Sequence, residues 1–210
     1  MTPWLEQLRQ HPLIVVIRAG DPETAWDMAM VAIEAGCHCL EITCTTPGFD
    51  HLITDLRGGV PDIQVGAGTV TDAKRADTAL LAGSQFLVSP IGDPQVIQAG
   101  AAVGIPVISG ALTPQEIWQV WQLGAAAVKV FPVVALGGVS YIRHVRAPLP
   151  DIPLIPTGGV TCANAPSYLA AGAVAVALGS QLYPDGWQDQ RDFIRAQLQQ
   201  VLASLPPPPK

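Results

Sequence analysis

The chain has 210 residues, of which 49% are hydrophobic and 13% are charged, and its formal net charge is −6. This size predicts one sizeable domain, and the lack of a Lys/Arg cluster argues against binding to nucleic acids or anionic membranes. No apolar run is long enough to span a bilayer, and the first residues do not resemble a signal peptide, so we expect a cytoplasmic protein. Four cysteines lack the spacing of zinc or redox motifs, which predicts free, buried thiols and neither a metal nor a cofactor.

Short apolar segments recur at intervals of roughly 21 to 26 residues, about the length of one strand–helix unit. They predict eight strands, which begin at Leu13, Cys39, Ile63, Gln85, Pro106, Ala127, Pro153 and Val174.

Helix start and stop signals fill the intervals between these strands. The starts are Asp21-Pro22, Thr71, Asp93-Pro94, the capping box Thr113–Glu116 and Thr161, and glycines follow each of these segments. Residues 1–10 place Trp4, Leu5 and Leu8 on one side, which predicts an extra helix that covers the bottom of the fold. We predict an α/β fold, a (β/α)8 TIM barrel over residues 1–204, with a Pro-rich disordered tail at 205–210. An open doubly wound sheet is the alternative.

Lys129 is the one charged residue in the apolar run from Ala125 to Phe131. Alternate residues of a barrel strand face the interior, so Lys129 shares the interior face with Ala127 and Phe131, near the mouth where barrel enzymes place their sites. Desolvation favours the neutral form of an amine, and a neutral primary amine attacks carbonyl groups. Lys129 is therefore a candidate Schiff-base nucleophile. The alternative is a lysine that reaches the rim or pairs with a structural carboxylate.

Strand two provides a carboxylate for the same interior. Glu41, Thr43 and Thr45 share one face, opposite three apolar residues. Glu41 could simply neutralise Lys129, or it could move protons between the stages of a Schiff-base reaction. Thr69 on strand three and Thr157 on strand seven add hydroxyl groups at the same mouth.

Glycines follow the last two predicted strands, as Gly158-Gly159 and Gly179-Ser180. Barrels commonly bind phosphate at these neighbouring loops, through backbone N–H groups and a nearby helix N-terminus. Tight turns alone would also explain the glycines. Because the two loops can converge on one anion, we treat them as a candidate phosphate site.

The motifs LEIT, GAGTV, SP, KVFP, PTGGV and LGS occur in this order over nearly the whole chain. As a set they are similar to those of the 2-keto-3-deoxy-6-phosphogluconate (KDPG) aldolase family, class I aldolases that include 4-hydroxy-2-oxoglutarate (KHG) aldolases. The resemblance implies that Lys129 forms the Schiff base, Glu41 is the general acid/base and Thr69 and Thr157 lie beside the pyruvyl group. It also implies a homotrimer, with phosphate at the two glycine loops.

Two departures from the family pattern concern substrate binding. Many members carry an Arg that binds the substrate carboxylate where this sequence has Thr45, and others have an Arg at the end of strand one, as Arg18 is here. Arg18 is therefore the implied carboxylate ligand, and Thr45 is grouped with it among the residues expected to bind the carboxylate or the pyruvyl part. The segment after Lys129, FPVVALGG, lacks a Glu that members often have. The implied reaction is cleavage of phosphorylated KDPG to pyruvate and glyceraldehyde 3-phosphate. The alternatives are KHG cleavage and a non-catalytic barrel that binds a phosphorylated metabolite.

Overall fold

The computed structural model describes residues 3–205, so all but the first residue of the predicted tail at 205–210 lies outside the described residues. Eight parallel strands form one sheet in the order β7-β6-β5-β4-β3-β2-β1-β8. A bridge between Thr157 and Ala177 joins the two ends of this sheet, after β7 and within β8. The predicted (β/α)8 barrel is confirmed, and the open doubly wound sheet is not adopted.

The strands are short, as expected for a small barrel. Their bounds are β1 Leu13–Ile17, β2 Cys39–Thr43, β3 Gln64–Gly68, β4 Leu87–Val88, β5 Val107–Ala111, β6 Ala127–Val130, β7 Leu154–Pro156 and β8 Val176–Leu178. The helices are α1 Pro3–Gln10, α2 Pro22–Glu34, α3 Phe49–Gly59, α4 Ala73–Leu81, α5 Pro94–Ala102, α6 Pro114–Gln122, α7 Val139–Arg146, α8 Ala165–Ala170 and α9 Arg191–Ser204. Two 3-10 helices cover Val133–Leu136 and Trp187–Gln190.

Helix starts follow the predicted capping chemistry with small shifts. Asp21 Oδ1 accepts a hydrogen bond from the Thr24 backbone N–H at the start of α2, and Thr113 and Glu116 form the predicted capping box of α6. At α4 the cap is Asp72 rather than the preceding threonine, because its carboxylate accepts from the backbone N–H three residues later.

Two apolar layers position the interior. Val128 and Val130 of β6 belong to the large layer between strands and helices, whereas Ala127 belongs to the smaller cluster inside the barrel. Lys129 therefore faces inward, as the alternation predicts. Helix α1 closes the bottom of this inner cluster with Trp4 and its neighbours, as predicted.

The cysteines contribute packing rather than disulfides. All four are free; Cys37 and Cys39 are buried as predicted, whereas Cys44 and Cys162 are only half-buried. Burial raises the pKa of Cys37 to about 12, so its thiol stays protonated near neutral pH. Within residues 3–205, no helix has the length and hydrophobicity needed to cross a membrane.

Candidate active site

A cavity of about 350 Å³ opens at the mouth formed by the carboxyl ends of the strands. Every candidate site residue except Thr45 lines it: Arg18, Glu41, Thr69, Lys129, Thr157, Gly158, Gly159, Gly179 and Ser180. These residues come from segments far apart in sequence, so the barrel itself assembles the site.

Lys129 and Glu41 form a buried pair in this cavity. Lys129 Nζ lies 3.4 Å from Glu41 Oε1, and the two residues are 6% and 1% exposed. Gly68 on the neighbouring strand leaves room for the carboxylate, since a Cβ at that position would collide with the Glu41 side chain. A carboxylate at this distance can exchange protons with the amine and with atoms bonded to it.

Arg18 lines the same cavity and is held by two hydroxyl groups. Its Nη1 donates to Thr45 Oγ1 at 2.5 Å and its Nη2 donates to Thr69 Oγ1 at 3.0 Å. Thr45 thus does not line the cavity but contacts the arginine that does. A guanidinium has five N–H donors, so others stay available for a carboxylate.

Thr69 has an unusual backbone conformation. Its φ of 57° lies in the left-handed region, and within residues 3–205 it is the one non-glycine residue with a positive φ. This conformation is costly for a β-branched residue, and a glycine would adopt it freely. A residue in this strained conformation is a candidate functional residue, and its hydroxyl group contacts Arg18.

The loops after β7 and β8 also line the cavity, and residues 157–164 and 179–190 contain no Lys or Arg. Among the described hydrogen bonds, the backbone N–H groups of Gly158, Gly159 and Ser180 donate to no protein acceptor, which leaves them available to an anion. Asn164 Nδ2 donates to the Gly159 carbonyl at 3.1 Å and holds that loop.

The expected helix N-terminus is absent from the loop after β8. The chain turns after Ser180, with the Leu182 N–H donating to the Gly179 carbonyl at 2.9 Å, and α9 begins only at Arg191. Any anion at this loop would therefore be bound by loop N–H groups and not by the dipole of a following α-helix.

Sequence reasoning missed several residues that line the cavity. Phe131 is one: strand alternation placed it on the interior face with Lys129 but not among the site residues, and its ring centroid lies 5.6 Å from Lys129 Nζ. Tyr183 is another, and its hydroxyl donates to the Met28 carbonyl at 2.8 Å. Burial raises the pKa of Tyr183, so it stays a neutral donor. No sequence pattern marks Tyr183, because it follows an irregular loop.

Comparison with known proteins decides the family. The family model described as KDPG and KHG aldolase matches residues 5–199. This chain belongs to the KDPG and KHG aldolase family. It is 35% identical over 186 residues to the 2-dehydro-3-deoxy-phosphogluconate aldolase of Pseudoalteromonas atlantica, which covers 89% of this chain and 86% of that relative.

Two solved aldolase structures superpose closely. The KDPG aldolase of Legionella pneumophila, with pyruvate captured as a covalent carbinolamine intermediate, is 27% identical with a TM-score of 0.84 and covers 94% of this chain and 97% of its own. The 2-keto-3-deoxy-6-phosphogluconate aldolase of Zymomonas mobilis with 3-phosphoglycerate is 28% identical with a TM-score of 0.84, and covers 95% of each chain.

Proposed function

We propose that this family member is a class I aldolase that cleaves KDPG to pyruvate and glyceraldehyde 3-phosphate. The observation that supports it most directly is the buried pair of Lys129 Nζ and Glu41 Oε1, 3.4 Å apart in a cavity at the barrel mouth. The covalent carbinolamine in the Legionella relative supports a covalent step at an amine.

In the proposed reaction the Lys129 amine attacks C2 of the keto acid to give a carbinolamine, which loses water to form an imine. The imine accepts the electron pair of the C3–C4 bond as the C4 hydroxyl loses its proton. Glyceraldehyde 3-phosphate leaves, and a pyruvyl enamine remains. Protonation of the enamine at C3 and hydrolysis of the imine then release pyruvate and restore the amine. The imine is itself the electron sink, so this route uses neither a metal nor a cofactor.

Glu41 is the proposed general acid/base for these proton transfers. Its carboxylate lies beside the nitrogen at which the carbinolamine and imine form. Arg18 is the proposed ligand of the C1 carboxylate, and Thr69, Thr157 and Thr45 bind or support the pyruvyl end.

The phosphate is proposed to bind at the Gly158-Gly159 and Gly179-Ser180 loops. Free backbone N–H groups support this assignment, since they can hold an anion without a basic side chain. The 3-phosphoglycerate in the Zymomonas relative supports a phosphorylated carboxylate as the ligand class.

Trapping of the imine tests the proposal. The protein is incubated with pyruvate and sodium borohydride, and the reduced adduct is located by peptide mass spectrometry. We expect the adduct at Lys129, and no adduct or cleavage activity in Lys129→Arg and Lys129→Met, because neither offers a neutral primary amine. Lys74→Arg, on α4, is the matched control. An adduct at Lys74, or none in the parent, would contradict the proposal; a non-catalytic binder forms no reducible imine.

We also infer that the protein is a cytoplasmic homotrimer whose residues 1–204 form one domain. Pairing of β1 with β8, near opposite ends of the chain, supports the single domain. An apolar groove of about 750 Å³ supports self-association. Its exposed apolar side chains are Ile91, Trp118, Leu123 and Phe131. A charged phosphorylated substrate, which membranes retain, suits a cytoplasmic enzyme.

A further inference from the structure

Two buried threonines that no step of the proposed reaction uses lie behind Arg18. Thr43 and Thr46 are 0% and 1% exposed, and their hydroxyl oxygens lie 3.1 Å apart. Buried hydroxyl groups require hydrogen-bond partners, and each of these has a second partner that leads to Arg18.

Thr43 connects to the Arg18 side chain. The Thr45 hydroxyl accepts from Arg18 Nη1 at 2.5 Å and donates to Thr43 Oγ1 at 3.2 Å. Because a hydroxyl group has one proton, donation to Thr43 directs the remaining lone pairs of Thr45 toward the guanidinium. Thr43 therefore orients the acceptor that holds Arg18.

Thr46 connects to the backbone beside Arg18. The Ala19 N–H donates to Thr46 Oγ1 at 3.3 Å, and Ala19 directly follows Arg18. The linked pair thus contacts both the guanidinium, through Thr45, and the chain that carries it. Arg18 is an exposed residue, so without such contacts its long side chain would lose more conformational freedom when it binds a ligand.

We propose that Thr43 and Thr46 are positioning residues, which hold Arg18 in the orientation that binds the substrate carboxylate before the substrate arrives. This inference rests on the proposed role of Arg18. It predicts a selective effect: loss of either hydroxyl weakens the binding of carboxylate-bearing keto compounds and spares the amine chemistry at Lys129.

The test measures the pyruvate concentration that half-saturates borohydride trapping. Thr43→Val and Thr46→Val keep the branched shape and remove the hydroxyl. We expect each to raise this concentration about two- to tenfold, the effect of one hydrogen bond between neutral groups, because these hydroxyl groups reach Arg18 only through Thr45 and the backbone. The half-saturating concentration of pyruvamide, which has the same shape without the carboxylate charge, should change little in these variants. Thr43→Ser, which keeps the hydroxyl, should restore pyruvate binding.

Two further backgrounds separate positioning from general damage. In the Arg18→Ala background, addition of Thr43→Val should not raise the half-saturating pyruvate concentration any further. Thr45→Val removes a hydroxyl group from the same series of hydrogen bonds, at an exposed position. It should therefore fold and show the pyruvate-selective loss of binding even if the buried variants do not fold. Ser84→Ala, which removes a buried hydroxyl near the barrel bottom, is the control expected to match the parent.

Three outcomes would overturn the inference while leaving the proposed aldolase intact. The variants could bind pyruvate and pyruvamide equally weakly, or Thr43→Val could weaken pyruvate binding further in the Arg18→Ala background. All three threonine-to-valine variants could also bind pyruvate as the parent does. A parent protein that forms no imine would instead overturn the proposed function and the inference with it.

Discussion

At the scale of single residues, Glu41 is the group whose removal separates proton transfer from imine formation. Glu41→Gln keeps the size of a buried side chain that fits against Gly68. We expect the variant to fold and to retain some pyruvate trapping at Lys129. Its rate of deuterium exchange at the pyruvate methyl group should fall by roughly 10²–10⁴-fold, the usual contribution of a general acid/base.

The matched control for this prediction is Glu34→Gln. Glu34 pairs with Arg195 on the surface, where such pairs contribute little, so exchange should stay at the parental rate. If Glu41→Gln also exchanges at that rate, Glu41 is a structural partner of Lys129 and nothing more.

Gly179 tests the proposed phosphate site. A Cβ at Gly179 would have no heavy atom within 4 Å, so Gly179→Val should fold normally and extend its side chain into open space beside the cavity. We expect a raised KM for phosphorylated KDPG and nearly unchanged half-saturation of pyruvate trapping. Gly58→Val, on α3 and equally free of contacts, is the control.

Steady-state kinetics with a phosphorylated substrate and its unphosphorylated analogue measure this difference. If Gly179→Val weakens the binding of both compounds equally, these loops do not bind the phosphate. A parent that shows no preference for the phosphorylated compound would favour cleavage of 4-hydroxy-2-oxoglutarate, which has no phosphate.

The residues that sequence could identify are those on regular strands. Lys129 and Glu41 followed from strand alternation, because position along a strand fixes the side of the barrel that a residue faces. The contacts of Thr43 and Thr46 depend on how the loop after β1 approaches the end of β2, and alternation does not contain that information.

At the scale of elements, short apolar runs located all eight strands, since a parallel barrel buries both faces of each strand. The lengths were less predictable: β4 has only two residues, and the chain bends at Pro90 soon after it. After β6 the chain forms a 3-10 helix over Val133–Leu136, and α7 begins only beyond the left-handed Gly137. Such connections depend on tertiary packing that local propensity does not encode.

Helix α1 gives a prediction at this scale. Leu8 is 2% exposed in the inner cluster beneath the barrel, and Trp4 of the same helix packs against Phe86 with ring centroids 5.9 Å apart. We expect Leu8→Ala to lower the free energy of unfolding by about 2–5 kcal/mol through the cavity it creates. Urea unfolding measures the change.

Leu81→Ala is the control, because Leu81 is 90% exposed on α4 and its loss should change the free energy of unfolding by less than about 0.5 kcal/mol. Pyruvate trapping should be unaltered in both folded variants, since α1 lies at the bottom of the barrel and Lys129 lies near the other end. Equal stability of the two variants would mean that α1 does not close the barrel in solution.

At the scale of the whole molecule, the catalytic cavity and the apolar groove meet. Pro90 and Phe131 line both, so a second chain in the groove would cover the outer side of a wall of the active site. Phe131 is 39% exposed in a single chain although it lies beside the buried Lys129. Assembly and catalysis are thus expected to be linked through this residue.

Trp118 tests the assembly. Its side chain is 47% exposed in the groove, and a carboxylate placed there would have to be desolvated on association. We expect the parent to elute as a trimer in size-exclusion chromatography with light scattering, and Trp118→Glu to have the mass of one chain. Trp26→Glu replaces a tryptophan of similar exposure on α2, outside the groove, and should remain a trimer. A monomeric parent would contradict the homotrimer, whereas a trimeric Trp118→Glu would move the interface to another face of the barrel.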